Sequence, residues 1–387
     1  MRVLLTSTDN PYITHLGGKH IHMLLLERGL RRLRVDVTTL YYNKRNLGEL
    51  IKWSLLPILG DKHGYRRKLW WKINYLRRHI PKAYMIDIIH AHDVLSMISV
   101  AEEKQKKVLT LHGYFSKENI EFIKNKKVRE ELYPYLLQLE EEGVNIADYV
   151  ITVDKRLKEY IISEFDYPAD RIAVVHNAVD TDLFRPISEE KQRKLKKMFG
   201  FAEEDIIILV PRRLVEKNGV IYGVLSMKYI QNKKLKMIIA GDGPEKSKIA
   251  KEAKGDNRIH FIGSIPHKDI FQYYMMADII LIPSITSHEV QEATSLAMLE
   301  GMASGKVVIC SNIGGMREIV KHMENGILVN EKDPEEIARA IEIMLNNKNL
   351  MDKIGENARS YVVKNHSFLA HAQKVLNIYT KLLEEER

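Results

Sequence analysis

The 387-residue chain has one cysteine, Cys310. No intrachain disulfide and no cysteine-rich zinc module can be built from it. Such cysteine poverty suits a reducing compartment, and a cytoplasmic location is the expectation. No stretch of about 18 uninterrupted apolar residues occurs, so no transmembrane helix is expected. The apolar run in MRVLLTSTDN is too short for a signal peptide and soon reaches Asp9; it reads as a first buried strand. Tandem repeats and low-complexity tracts are also missing. With 45% apolar and 29% charged residues, the composition excludes wholesale disorder and collagen-like structure. At roughly 100–200 residues per domain, it allows two or three domains.

The net charge of +9 is concentrated in one place. Residues 44–82 hold eleven Lys or Arg against Glu49 and Asp61, so this segment carries the whole excess and the rest of the chain is neutral. All three tryptophans, Trp53, Trp70 and Trp71, lie there too. A basic patch is also what a nucleic-acid binder would show. Aromatic residues mixed into a basic, apolar stretch fit a helix lying on an anionic membrane at least as well. Peripheral membrane contact through 44–82 is therefore the expectation, with an acceptor-binding cap or an oligomer contact as the competing reading, and no nucleic-acid partner is expected.

Short β-rich runs alternate with amphipathic stretches. The runs are Val3–Leu5, Val35–Leu40, Ile86–His90, Lys107–Leu111 and Tyr149–Val153, then Ile206–Val210, Leu235–Ala240, His260–Ile262, Ile279–Pro283, Val307–Cys310 and Gly326–Val329. Strands alternating with helices of 10–15 residues imply βαβ units and parallel sheets. Two such series predict two doubly wound α/β domains, over 1–190 and 191–365, followed by an amphipathic helix over 366–387. Residues 177–200, with Pro186 and the charged stretch SEEKQRKLKK, mark the boundary between the series. Ligands of doubly wound sheets sit beyond the carboxyl ends of strands, so chemistry is sought in those loops.

The strongest signal is EATSLAMLEGMASGKVVICSNIGG, from Glu292 to Gly315. Glu292 and Glu300 stand eight positions apart at a predicted loop-to-helix junction, ~12 Å if all eight positions were helical. Thr294 and Ser295 are good N-cap residues, and a helix N-terminus presents free N–H groups that suit a diphosphate. One carboxylate could accept bonds from sugar hydroxyls and the other from ribose hydroxyls. Upstream, Arg213 and Lys217 lie in a loop directly after the strand Ile206–Val210, placed to clamp phosphates. Gly241-Asp-Gly243 follows another strand and matches half of a dinucleotide fingerprint, a weak signal alone.

Together these pieces resemble the retaining glycosyltransferases of family 4, whose GT-B fold consists of two facing Rossmann-like domains. The resemblance extends to Gly17-Gly18, His90-Ala-His92, Thr110-Leu-His112-Gly113 and His176-Asn-Ala-Val-Asp180, and so covers nearly the whole chain. It implies that Glu300 binds the donor ribose and Glu292 the donor sugar, with Ala293, Thr294, Ser295 and Leu296 lining sugar and phosphate. Arg213 and Lys217 would hold the diphosphate, Gly17 and Gly18 would let a loop approach it, and His112 would face the reacting sugar. Gly241 and Gly243 would border the donor, and the loop ending at Ile265 the nucleobase. Ala178 and Ala293 stand where the family usually has glycine. The Arg213-to-Lys217 spacing is one residue short, so Arg212 is an alternative counterpart. The implied partners are a nucleotide sugar and an acceptor sugar or glycolipid, without metal or other cofactor.

Other readings stay open at this point. A GT-B epimerase or phosphorylase would share the fold, the latter needing a pyridoxal-binding lysine. Asp180-Thr-Asp182 matches a metal-binding pattern, but beside Asn177 it reads as a turn. His90 and His92 lie on one side of a strand and offer two imidazoles, with no third ligand in view. Cys310 reads as core.

Overall fold

The computed structural model describes residues 1–12, 17–43, 62–82, 85–121, 123, 125–287 and 291–385. Residues 44–61 of the basic segment, including Trp53, lie outside the described residues. The chain divides into two compact units, one formed by Met1–His176 with His371–Arg387 and the other by Asn177–Ala370.

Each unit is built on one six-stranded parallel sheet. Parallel sheets are covered on both faces, so their strands should be apolar throughout. In the first unit, β1 (Arg2–Ser7), β3 (Ile88–Ala91), β4 (Lys106–Leu111) and β5 (Tyr149–Thr152) are buried along almost their whole length. The edge strand β2 (Asp36–Tyr41) mixes buried and exposed positions. The far edge is β6 (Ile172–Val174), which the sequence rhythm does not reveal, since three residues are too few to set a pattern. The spatial order is β2-β1-β3-β4-β5-β6. Chain direction across the sheet therefore reverses between β1 and β3, where doubly wound sheets bind ligands. Val3, Leu5, Leu26, Ile88 and Val108 pack in one core cluster with Ala372, Val375, Tyr379 and Leu382 of the last helix, Phe368–Glu384.

The second unit contains β7 (Ile206–Val210), β8 (Leu235–Ala240), β9 (Ile259–Gly263), β10 (Ile279–Ile282), β11 (Val307–Ser311) and β12 (Ile327–Val329). Their order, β12-β11-β10-β7-β8-β9, is that of a dinucleotide-binding Rossmann sheet, with its switch point between β7 and β10. Cys310 is fully buried in β11, and burial pushes its thiol up to about 12, so it is inert core. Asp180 Oδ1 accepts from the backbone N–H groups of Asp182 and Leu183 at 3.1 and 3.2 Å, the turn chemistry expected there.

The described part of the basic segment is residues 62–82, most of it the helix Lys62–Arg78. It buries Leu69, Ile73 and Leu76. Arg67, Trp70, Trp71, Arg77 and Arg78 are exposed, at a spacing that puts them on one outward side. Several of its cations have internal contacts: Arg66 lies 4.2 Å over the Tyr135 ring, Lys72 is 3.6 Å from Asp9, and Arg77 donates to the Ile98 carbonyl at 3.5 Å. Among the described residues, no helix is long and apolar enough to cross a membrane.

Candidate functional site

In the second unit, the loops after β7 and β10 meet at the switch point around one buried guanidinium. Arg212 donates to both Glu292 oxygens, at 2.8 and 3.3 Å. It also donates to Asn218 Oδ1 at 2.6 Å, Ser284 Oγ at 3.0 Å and Ser295 Oγ at 3.2 Å. The ion pair is mostly enclosed, with 9% and 18% of the two side chains exposed. This fork-to-fork geometry fixes the plane of the Glu292 carboxylate. Asn218 in turn donates to the Arg213 carbonyl at 2.8 Å and so ties the loop together.

The two neighbouring arginines therefore differ in kind. Arg212 is an internal organiser. Arg213 and Lys217 are exposed, and neither makes an ion pair among the described residues. They are the uncommitted positive charges at the carboxyl end of β7.

The helix carrying the second acid begins at Leu296 and ends at Ala303, with Ser295 as its N-cap. Glu292 thus sits in the loop before it, and the eight-residue spacing is not a helical one. Thr294 and Ser295 are buried, while Ala293 and Leu296 are half-buried. Asn177 Nδ2 holds the Thr294 carbonyl at 3.1 Å. Gly315 N–H holds the Glu292 carbonyl at 3.1 Å, and a Cβ on Gly315 would meet Ala293 at 2.9 Å. That close approach is why the Gly-Gly turn belongs to the same block as the acids.

Glu300 is 6% exposed, and its Oε1 accepts from His267 Nε2 at 2.7 Å. Burial pulls the His267 pKa down, but this bond and the charges of Glu300 and Asp180 outweigh it, so the net shift is upward. Tyr274, fully buried with Glu300 beside it, is pushed well above its ordinary value. Glu300 is therefore engaged by a histidine that sequence reasoning missed. Ile265, two residues before His267, packs half-buried against the core. Gly241 and Gly243 are pressed on the β7 loop: a Cβ on them would lie 1.9 Å from the Arg212 carbonyl and 2.4 Å from that of Leu214. Their smallness lets two loops pack, so the fingerprint-like pattern has a local steric reason.

In the first unit, a second polar cluster lies at the β1/β3 switch point. Asp93 accepts from Ser7 Oγ at 2.7 Å, Thr8 N–H at 2.8 Å and Lys19 Nζ at 2.9 Å. It also caps the helix Val94–Ser99 through Ser96 N–H. Burial works against its charge, but Lys19 and these hydrogen bonds outweigh that and hold its carboxyl well below the usual range. Lys19 also reaches Asp9 at 3.0 Å. Gly17 caps the helix Gly18–Arg32, which carries Lys19, and its N–H donates to His20 Nδ1 at 3.1 Å. A cavity of about 210 Å³ is lined by Asp9, Lys19, His92, Asp93, His112 and Glu118, among others.

The histidines behind this cavity correct the two-ligand reading of His90-Ala-His92. His90 is fully used, bonded to Tyr379 Oη and Thr110 Oγ1 at 2.6 Å each, and burial lowers its pKa to about 3. His92 instead lies beside His22 and His112, which bring further imidazoles from other elements. Both His92 nitrogens and His112 Nε2 are buried without a hydrogen-bond partner. Each such orphan costs about 1–3 kcal/mol. Burial, reinforced by the neighbouring imidazoles and Lys19, holds His92 and His112 neutral.

Two family models match this chain: Glycosyltransferase Family 4 over residues 16–183 and Glycosyl transferases group 1 over residues 191–361. The chain belongs to this glycosyltransferase family, and its two parallel sheets with flanking helices are those of the GT-B fold. The uncharacterized glycosyltransferase MJ1607 of Methanocaldococcus jannaschii is 30% identical over 240 residues, 61% of this chain and 60% of its own length. The chain thus spans less than two thirds of that relative. YtcC of Bacillus subtilis, a putative glycosyltransferase, is 26% identical over 391 residues, 92% of this chain and 88% of its own. Among solved structures, Anabaena HepE in complex with UDP matches with a TM-score of 0.71 at 18% identity, covering 98% of this chain and 100% of that one.

Proposed function

We propose that this chain transfers a hexose from a nucleoside diphosphate sugar to an acceptor, with retention of configuration. The observation that carries the reading is the switch point of the second unit. There a rigid carboxylate, Glu292, adjoins a helix N-terminus at Ser295 and two uncommitted cations, Arg213 and Lys217. That is the set a sugar diphosphate needs: hydroxyl acceptors at one end and positive charge in the middle. Glu300, with His267, is the ribose-side acid in this reading. HepE, with its UDP and UDP-glucose complexes, supports a nucleotide-sugar donor.

The departing diphosphate is met by Arg213, Lys217 and helix N–H groups, not by a metal. With retention and no obvious carboxylate nucleophile among the described residues, the route is a front-face displacement, in which the leaving phosphate takes the acceptor's proton. His112 and the cavity of the first unit, with Asp9, Lys19 and Asp93, suit an acceptor rich in hydroxyls. A thermal-shift panel of UDP, GDP and ADP sugars tests the donor. A ligand that binds only the folded state at 100 times its Kd stabilises it by about 2.7 kcal/mol, so one nucleotide series should raise Tm by several degrees. With that donor, NMR of the product should show the donor's anomeric configuration. No shift with any sugar nucleotide, or an inverted product, refutes the assignment.

The acceptor, in this proposal, is presented at an anionic membrane surface. The exposed Trp70 and Trp71 among Arg67, Arg77 and Arg78 support it. Each such cation contributes about 1 kcal/mol near an anionic surface, and salt screens it. The protein should float with phosphatidylglycerol liposomes at low salt and be released at high salt. Absence of co-flotation at low salt excludes membrane docking.

A further inference from the structure

We propose that His22, His92 and His112 are the ligands of a divalent transition-metal ion, zinc foremost, in the wall of the first unit's cavity. The three imidazoles come from three elements: the helix Gly18–Arg32, the loop after β3 and the loop after β4. One ligand nitrogen from each lies within 4.8 Å of the other two. Nitrogens on a tetrahedral zinc at 2.0–2.1 Å are ~3.4 Å apart, so small side-chain rotations close the set.

The contrast with His90 is the second observation. That ring is as deeply buried as its neighbour and has a partner on each nitrogen, Tyr379 and Thr110. His92, stacked 4.3 Å from it, is 1% exposed and has a partner on neither. A core that needed only packed rings would not leave both His92 nitrogens and His112 Nε2 without a partner; a metal ion uses these two rings. An all-imidazole set suits zinc, copper or nickel and not magnesium or calcium.

The geometry also places the fourth position. His92 and His112 line the cavity and His22 does not, so an ion held by all three turns its open side toward the cavity. Water, or an oxygen of a bound polyol, completes the tetrahedron there. The His371 ring, 4.7 Å from His22, stands behind the set. Lys19 disfavours added positive charge at His92 and His112, and Asp9, Asp93 and Glu118 line the cavity against it. This site is separate from the diphosphate chemistry assigned to the second unit and does not depend on it.

Calorimetric titration of the chelator-treated full chain with zinc chloride tests the site. One equivalent should bind with a Kd of micromolar or tighter. His92→Phe and His22→Phe, which keep a ring and remove the nitrogens, should each weaken binding at least tenfold while circular dichroism shows a folded protein. Cobalt should give the intense visible bands of a tetrahedral complex in the wild type, a readout that needs no variant to fold. Failure to saturate with zinc, equal affinity in both folded variants, or only the faint bands of octahedral cobalt would each overturn the proposal.

Discussion

Replacing Arg213 and Lys217 together by alanine lowers kcat by at least ~10²-fold, on the scale of removing one preorganised transition-state donor, about 10²–10³. The melting temperature changes little. Both side chains are exposed and neither forms an ion pair among the described residues, so the folded state loses almost nothing with them. Surface substitutions of that kind stay within about 0.5 kcal/mol. In the proposed reaction the transition state loses more, because charge on the departing diphosphate grows as the sugar bond breaks. The separation of a large kinetic effect from a small stability effect is the signature to measure. A double variant with wild-type turnover would remove the charge-stabilisation account.

Glu292→Ala has the opposite profile, with both stability and activity falling. Removing one partner of a buried ion pair costs about 3–5 kcal/mol, since the remaining charge is stranded. Here Arg212 keeps Asn218, Ser284 and Ser295, which puts the loss toward the lower end of that range. Glu292→Gln preserves the shape and a carbonyl acceptor and should cost less. The pair Arg212→Met with Glu292→Leu removes both charges and should regain much of the stability while donor binding stays lost. Urea unfolding of the four proteins, with a nucleotide-sugar titration of each, separates the structural role of the pair from its ligand role. A Glu292→Ala protein as stable as the wild type would mean that Arg212 is not held as described.

Sequence reasoning reached the two parallel sheets because buried parallel strands are continuous apolar runs, and it reached Ser295 because a cap is a local event. The partners of Arg212 were out of reach for the opposite reason. Ser284 is 72 residues from it and becomes its neighbour only because the strand order puts β10 beside β7. That Arg212 is enclosed and Arg213 exposed likewise needed coordinates, since adjacent residues in a loop can turn to opposite sides. His267 carried no motif; it shows itself only as the donor to a buried acid. Of the visible histidine pair only His92 joins the cluster, and His22 and His112 beside it arrive from a helix and from another strand's loop.

The last helix has a bearing on how the chain comes to be folded. Tyr379 closes a bond to His90 across 289 residues, and its neighbours Ala372, Val375 and Leu382 fill the same core as β1. The half made first during translation is thus the half that must wait, its interior unsealed until the final turns leave the ribosome. The half made later is one unbroken stretch, Asn177–Ala370, and is free to settle sooner.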